Sequence, residues 1–316
     1  MTHAPGGDHL WRSGRIVPSA EATVHVRSVG HASVSAVFEG VNAYRDDSGG
    51  LNVFRLEEHL TRLADSVRLS HLTMSYTVDE LCAATVELLR RNEVRDDVHI
   101  RPWAFVEGNP IEQMVPAGAG CEVVIDCWPF RSRLAEPVSR IAAVTSWRRV
   151  ASESMPPRIK AFANYHNGRL GNIDAQSRGA DWPIFLDDRG RVTESSGATI
   201  GLVRDGVFHT PGLDCGILEG VTRDTVLRLL RDELDVPVRE HDLTRADLHL
   251  ADEVMFIGTS AEVLPITVLD GTRAADGVIG PVTTALREEY AAVLRGRRPR
   301  YKHWLTPVWV AEPAGR

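Results

Sequence analysis

RIKAFANYHN, residues 158–167, carries a lysine in a chain that hardly uses any. Of 36 lysines and arginines only Lys160 and Lys302 are lysines. Arginine stays protonated and is a poor nucleophile, whereas a lysine amine can be desolvated, lose its proton and condense with a carbonyl. Two readings of Lys160 therefore stand. It is kept for that chemistry, or it is a solvated lysine kept by chance, as Lys302 reads within the basic tail RGRRPRYKHW. The surrounding sequence has to decide.

At 316 residues, 43% hydrophobic and 25% charged, the chain has the composition of a globular protein with one large domain or two of ordinary size. A net charge of −7 argues against nucleic acid or an anionic membrane as the main partner, and the arginine run at 295–300 reads as a solvated tail. Cys82, Cys121, Cys127 and Cys215 show neither a CxxC pair nor disulfide-dense spacing, so reduced thiols and no metal site are expected. The N-terminus MTHAPGGDHLWRSGR lacks an apolar signal core and no run is long enough to span a bilayer, which points to a cytoplasmic protein.

Periodicity suggests two parts. A short strand is expected around VHVRSV; EEHLTRLADSVRLSHL places Leu60, Leu63, Ala64 and Val67 on one helical face; in TVDELCAATVELLRR, Thr77 and Glu80 have capping-box spacing. The strands HIRPWAFV and EVVIDCWPF follow, completing a smaller N-terminal α/β domain over 1–131. The segment 132–137, SRLAEP, is the expected linker. A larger domain over 138–316 would hold the lysine segment, a helix through GRLGNIDAQSRGA, a hairpin-like run with turns at DDRG and RDG, the helix GVTRDTVLRLLRDEL, the strand DEVMFIG and a last helix at GPVTTALREEYAAVLRG.

A lysine that forms an imine with a cofactor aldehyde needs a carboxylate for the ring nitrogen, a donor for the phenolic oxygen, and an arginine with helix-start amides for a phosphate. Glu194 in RVTESSG, Tyr165 five residues after the lysine, and Gly220, Val221 and Thr222 at the start of GVTRDTVL are candidates. Taken singly, each has a plain alternative: a solvated turn acid, a core aromatic, an ordinary N-cap.

Seven motifs in order resemble the class IV aminotransferases, the fold-type IV pyridoxal-phosphate enzymes, and most closely their branched-chain branch. AVFEGVNAY resembles the family's SVFEGIRAY, FRLEEHLTRL its FRLxEHxxRL, HIRPWAFVEG its YIRPxxFxG and KAFANY its KxGGNY. VTESSGATI is similar to its glutamate segment, GILEGVTRDTVL to LPGITRD and DEVMFIGTSAEVLPI to DEVFxxGTAAEVxPV, so the resemblance runs from about residue 10 to 296. It implies an α+β, two-domain fold and pyridoxal 5'-phosphate as cofactor. Lys160 becomes the Schiff-base lysine and catalytic base, Glu194 the partner of the ring nitrogen, and Tyr165 that of the phenolic oxygen. Arg62, Gly220, Val221, Thr222 and Thr259 become the phosphate site. Arg62 could not have been chosen over Arg55 or Arg68 from the pattern alone.

The resemblance further implies a homodimer or larger homo-oligomer in which Phe38 and its neighbours close the partner's pocket, and 2-oxoglutarate as the usual acceptor. The turn Gly258, Thr259, Ser260 offers amides to the substrate's α-carboxylate. Strand alternation sets His99, Arg101, Trp103 and Phe105 on one face, and by resemblance Arg101 receives the distal carboxylate of glutamate. Several pocket positions depart from the branched-chain pattern. His99 and Ser33 stand where tyrosines are usual, Phe162 and Ala163 replace a glycine pair, and Phe130 and Arg133 fall near the aromatic wall. His99 is expected to donate a hydrogen bond or to carry charge as pH falls. Three enzyme readings stay open: a branched-chain transaminase; a class IV transaminase for a D-amino acid, an amine or a biosynthetic intermediate; and a lyase of the aminodeoxychorismate-lyase kind. A fold relative that merely binds a ligand has no need of a nucleophilic lysine.

Overall fold

The computed structural model describes residues 6–106, 115–274 and 277–310. They form two compact units. The first draws on Met1–Arg131, Ile159–Ala163 and Ala292–Arg316, the second on Ser132–Arg158 and Asn164–Ala291.

The first unit begins with β1 (His9–Arg12), β2 (Arg15–Pro18), α1 (Val29–Ser35), β3 (Val37–Phe38), β4 (Val41–Arg45) and β5 (Leu51–Phe54). It continues through α2 (Leu56–Leu69), α3 (Val78–Arg91), β6 (Val98–Phe105) and β7 (Glu122–Pro129). With the C-terminal strand Leu305–Trp309 at one edge, the sheet runs in the order C-terminal strand, β5, β4, β6, β7, β1, β2, and β3 pairs with β6. Helix α2 buries Leu56, Leu60, Leu63 and Val67, positions three and four apart, on the sheet's apolar face beside Val41, Ile100 and Ile125. The capping box of α3 forms as its spacing requires, with the Thr77 amide donating to Glu80 Oε2 at 2.8 Å and the Glu80 amide to Thr77 Oγ1 at 3.2 Å.

Three expectations change in this unit. VHVRSV is no strand: Val26–Ser28 form a 3-10 turn that leads into α1, because the His25 ring accepts the Arg27 amide and the valines find no neighbouring strand to pair with. The basic tail, exposed over residues 296–300 as expected, is more than a solvated run. Arg295 pairs with both oxygens of Asp97, Arg297 with Asp47, and Tyr301 and Trp304 are buried ahead of the closing strand. Finally, Ile159–Ala163 packs with the first unit and not with a C-terminal domain. The Phe38 amide donates to Lys160 O (3.0 Å), the Phe162 amide donates to Ala36 O (2.9 Å), and Val37 bridges Ala161.

The second unit contains β8 (Arg140–Arg148), α4 (Tyr165–Ser177), β9 (Trp182–Leu186), β10 (Thr199–Arg204) and β11 (Val207–Thr210). After these come α5 (Val221–Asp232), β12 (Val238–Glu240), α6 (Arg245–His249), β13 (Glu253–Gly258), β14 (Glu262–Leu269), β15 (Thr272–Arg273) and α7 (Pro281–Leu294), whose last turn belongs to the first unit. The sheet order is β12, β11, β10, β13, β14, β8, β9, with β15 on β14. The RDG turn joins β10 to β11 with Asp205 and Gly206 both at positive φ, the geometry a two-residue hairpin needs. The segment expected as a linker is tied down: Arg287 donates to the carbonyls of Arg133 (2.7 Å), Leu134 (3.0 Å) and Glu136 (2.6 Å), so one guanidinium satisfies backbone that forms no regular structure. The four cysteines are unpaired, and burial raises the thiols of Cys82, Cys121 and Cys127 to about 11.

Gly171 tests this packing. In a helix, Gly→Ala gains about 1 kcal/mol of propensity. A Cβ at Gly171, however, would sit 2.2 Å from the Phe185 ring of β9, and Phe185 is fully buried. Gly171→Ala is expected to lower stability by about 1–3 kcal/mol in denaturant unfolding; a stabilised variant would contradict the α4 to β9 contact.

Candidate functional site

In the first unit the charged side chains gather around Glu39. This residue follows β3, its amide donating to Pro102 O at 2.8 Å, and its side chain is wholly buried. Arg62 on α2 meets it with a fork: Nε donates to Oε1 at 2.7 Å and Nη2 to Oε2 at 2.8 Å. His59, one helical turn earlier, brings Nδ1 to within 2.7 Å of Oε2. Burial alone would raise the Glu39 carboxyl, but the Arg62 guanidinium and the His59 ring hold it well below the usual carboxylate range. The clamp fixes the direction of Arg62. That distinguishes Arg62 from Arg55, which pairs with Glu58 and lies over Trp304, and from Arg68, which pairs with Asp65 at the surface.

The same helix steadies Lys160, whose amide donates to Ser66 Oγ at 3.2 Å. Its Nζ lies 4.9 Å from the Phe38 ring centroid. Lys160 is half-buried, whereas Lys302 is exposed. Phe38 stands 4.3 Å from Phe162, and Phe162 stacks on Trp103 at 5.3 Å.

Along β6 the alternation holds. Val98, Ile100 and Ala104 enter the core, and His99, Arg101 and Trp103 lie on the opposite face. The register sets His99 across from Trp128 and Arg101 across from Asp126. Arg101 Cζ is 4.6 Å from the Trp128 ring and 5.7 Å from Phe38. His99 Nδ1 is 2.7 Å from Asn42 Oδ1, Asn42 Nδ2 donates to Tyr44 Oη at 3.0 Å, and Phe130 lies 6.5 Å from the His99 ring. Burial, with Arg101, His59 and Lys160 nearby, lowers the imidazole to about 3. The expected charge on His99 is therefore corrected: the ring is neutral across the physiological range and acts as a fixed hydrogen-bonding wall. Gly40 packs against it, since a Cβ there would lie 3.0 Å from His99 Cε1. Ser33 is exposed on α1.

In the second unit Glu194 is buried between two donors. Arg149 Nη2 reaches Oε1 at 2.5 Å and the Leu218 amide reaches Oε2 at 3.0 Å. Tyr165 opens α4 and is half-buried. Helix α5 starts at Gly220 with no side-chain cap, and Val221 and Thr222 in its first turn are buried. A helix start of this kind attracts an anion. Thr259 and Ser260 form the turn between β13 and β14, behind Gly258, where a Cβ would come within 2.9 Å of Gly197 O.

The structure thus groups Lys160, Arg62, Phe38, His99, Arg101, Phe130 and Ser33 in one unit, and Glu194, Tyr165, Gly220, Val221, Thr222, Thr259 and Ser260 in the other. Sequence reasoning missed Glu39, His59, Arg149 and Trp128. Glu39 lies inside AVFEGVNAY and His59 inside EEHLTRL, but nothing in their spacing says that the two meet.

Comparisons with known proteins bear on the family and the fold. The model of the class IV amino-transferase family matches residues 36–269. A probable branched-chain-amino-acid aminotransferase of Aquifex aeolicus is 36% identical over 303 residues, 96% of this chain and 97% of that protein. The crystal structure of the branched-chain amino acid aminotransferase from Thermobaculum terrenum in its PLP form superposes with a TM-score of 0.93 at 42% identity, covering 96% of this chain and 99% of that one. The branched-chain aminotransferase of the thermophilic archaeon Thermoproteus uzoniensis, crystallised with norvaline, gives 0.90 at 40% identity, covering 96% of this chain and 100% of that one.

Both buried histidines of the first unit are depressed, so the unfolded chain binds protons that the folded chain refuses as pH falls below about 6.5. Stability is full above that pH and is lost on acidification, for His99 over the window from about 6.5 down to about 3. Each such ring contributes a slope of at most about 1.4 kcal/mol per pH unit. His99→Gln, which can keep the bond to Asn42, is expected to remove one ring's share of the slope between about pH 6 and 4; an unchanged slope in unfolding titrations would show that His99 is charged in the fold.

Proposed function

The chain belongs to the class IV aminotransferases, and we propose on that footing that it exchanges an amino group between an L-amino acid and a 2-oxo acid as a transaminase of branched-chain type, with glutamate and 2-oxoglutarate as one pair. Its cofactor is pyridoxal 5'-phosphate, which when bound supplies a carbonyl for amines and a ring that draws electrons from the donor's α-carbon. The residues present fit it. An uncapped helix start behind Gly220 suits a phosphate, and a buried carboxylate held by a guanidinium suits a protonated ring nitrogen.

The observation that carries the reading is Lys160, half-buried and held by its own amide and carbonyl, in a chain that spends arginine almost everywhere else. Lys160 would hold the cofactor, and its Nζ, once released, would accept the proton that leaves the donor's α-carbon. Glu194 keeps the ring nitrogen protonated, and Arg149 keeps Glu194 oriented and charge-compensated. Arg62, aimed by Glu39, holds the phosphate with the amides of Val221 and Thr222 and with Thr259. Tyr165 donates to the phenolic oxygen. The Thr259 to Ser260 turn takes the α-carboxylate, Arg101 the distal carboxylate of glutamate, and Phe38, Ser33, His99 and Phe130 line the side-chain pocket. Family likeness also supports a homodimer or larger homo-oligomer, a cytoplasmic setting and a place in amino-acid biosynthesis. No described helix is long and apolar enough to cross a membrane.

Lys160→Ala is expected to abolish turnover and the cofactor's bound-state absorbance while leaving the fold, and Lys302→Ala to be silent; appreciable transamination by Lys160→Ala would sink the assignment. The anchoring and electronic roles separate in a second pair. Arg62→Ala is expected to weaken cofactor retention by about 1.5–3 kcal/mol, the worth of a charged contact, whereas Glu194→Gln retains cofactor and slows proton abstraction. Equilibrium dialysis against single-turnover rates tells the two apart, and an identical defect in both would refute the division of roles.

A further inference from the structure

The hydrogen bonds behind His99 fix its tautomer. Asn42 Oδ1 lies 2.7 Å from His99 Nδ1, and Asn42 Nδ2 donates to Tyr44 Oη at 3.0 Å. An amide oxygen only accepts, so Nδ1 carries the ring's hydrogen. Burial keeps the imidazole neutral, and Nε2 is left with a lone pair. Nε2 takes no hydrogen-bond partner among the described residues, and it is not one of the sealed side-chain atoms that lack one, so it borders space that a ligand can reach. Gly40 keeps that side open, since a Cβ there would come within 3.2 Å of Nε2.

Beside this acceptor stands a donor. Arg101 lies next along the same face of β6, and both side chains reach the Trp128 ring, the imidazole at 4.8 Å and the guanidinium carbon at 4.6 Å. Phe130, 6.5 Å from the His99 ring, and Phe38, 5.7 Å from the guanidinium, add apolar surface. A guanidinium offers only hydrogens, and this Nε2 offers only a lone pair. A primary carboxamide matches the two together, its oxygen accepting from Arg101 and its amide nitrogen donating to Nε2. A carboxylate of the same shape satisfies Arg101 but sets a second anionic oxygen against the lone pair, and an apolar chain end leaves both groups unpaired. We propose that His99 is a specificity-determining acceptor, positioned by Asn42, and that with Arg101 it fits the pocket to an amino donor whose side chain ends in a carboxamide. This rests on the transaminase reading and names the substrate class of the same site. Discrimination is steep where a site's own polar groups must be paired by the substrate.

The test uses the cofactor-loaded enzyme. Half-reactions with L-glutamine, L-glutamate and L-methionine, side chains of nearly equal length, are followed by cofactor absorbance. The binding of glutaramate, which has the carboxamide and no amine, is followed by calorimetry, and the His99 tautomer by nitrogen NMR of histidine-labelled protein, its signals assigned by their loss in His99→Gln. Wild type is expected to favour glutamine over methionine in kcat/KM and to carry the hydrogen on Nδ1. His99→Phe, which keeps a flat ring and loses both nitrogens, is expected to lower glutaramate affinity and the glutamine-to-methionine ratio of kcat/KM about fivefold or more. His99→Gln, whose amide can donate to Asn42 and keep an oxygen to accept, is expected to retain the preference for glutamine. Hydrogen on Nε2, glutamate falling as far as glutamine in His99→Phe, or methionine outrunning glutamine in wild type overturns the proposal. If His99→Phe does not fold, the wild-type tautomer and the wild-type glutamine-to-methionine ratio decide. If no donor reacts, glutamate included, the transaminase reading fails, and glutaramate binding together with the tautomer still decides whether His99 accepts from a carboxamide.

Discussion

A carboxylate without solvent at position 39 constrains much of the first unit. A charge so deep is tolerated only when paired and hydrogen-bonded, and Arg62 and His59 meet that need from one face of α2. Satisfying Glu39 therefore fixes where α2 lies against the segment that follows β3. Once α2 is fixed, Ser66 is in place to accept the Lys160 amide, and Lys160 in turn returns its carbonyl to Phe38. One buried charge thus orients the arginine, the lysine and the aromatic ring beside it.

The second unit uses the same device in another form. Glu194 is buried, and a guanidinium and a backbone amide take its two oxygens. Both units surround a buried acid with donors, and in both the supporting residue lies far from the acid in sequence: 23 residues separate Glu39 from Arg62 and 45 separate Arg149 from Glu194. Such pairs give rigidity of orientation more surely than net stability, since desolvating two ions consumes much of their attraction. That suits a site whose groups must keep one geometry while substrates change.

The pocket face follows a different logic. His99 sits among Trp128, Phe130 and Asn42, too buried to accept a proton, so a residue that usually titrates near neutrality has become a neutral hydrogen-bonding wall. Phe162, in place of a glycine, adds a ring between Phe38 and Trp103.

Residue type and spacing were enough for the main helices, the capping box at Thr77, the RDG hairpin and the face carrying His99 and Arg101, because these follow from local periodicity and local hydrogen bonding. The rarity of lysine singled out Lys160, and the order of motifs carried the family. Spacing alone could not choose Arg62 over Arg55 or Arg68; the resemblance named it, and in the structure it is Arg62 of the three that pairs with Glu39. Nor could residue type and spacing show that VHVRSV turns instead of extending, that the arginine tail is anchored by Asp97 and Asp47, or that the lysine segment packs with the first unit. Each of those outcomes rests on a partner distant in the chain, and burial, which decides both pairing and protonation, exists only once the distant parts have met.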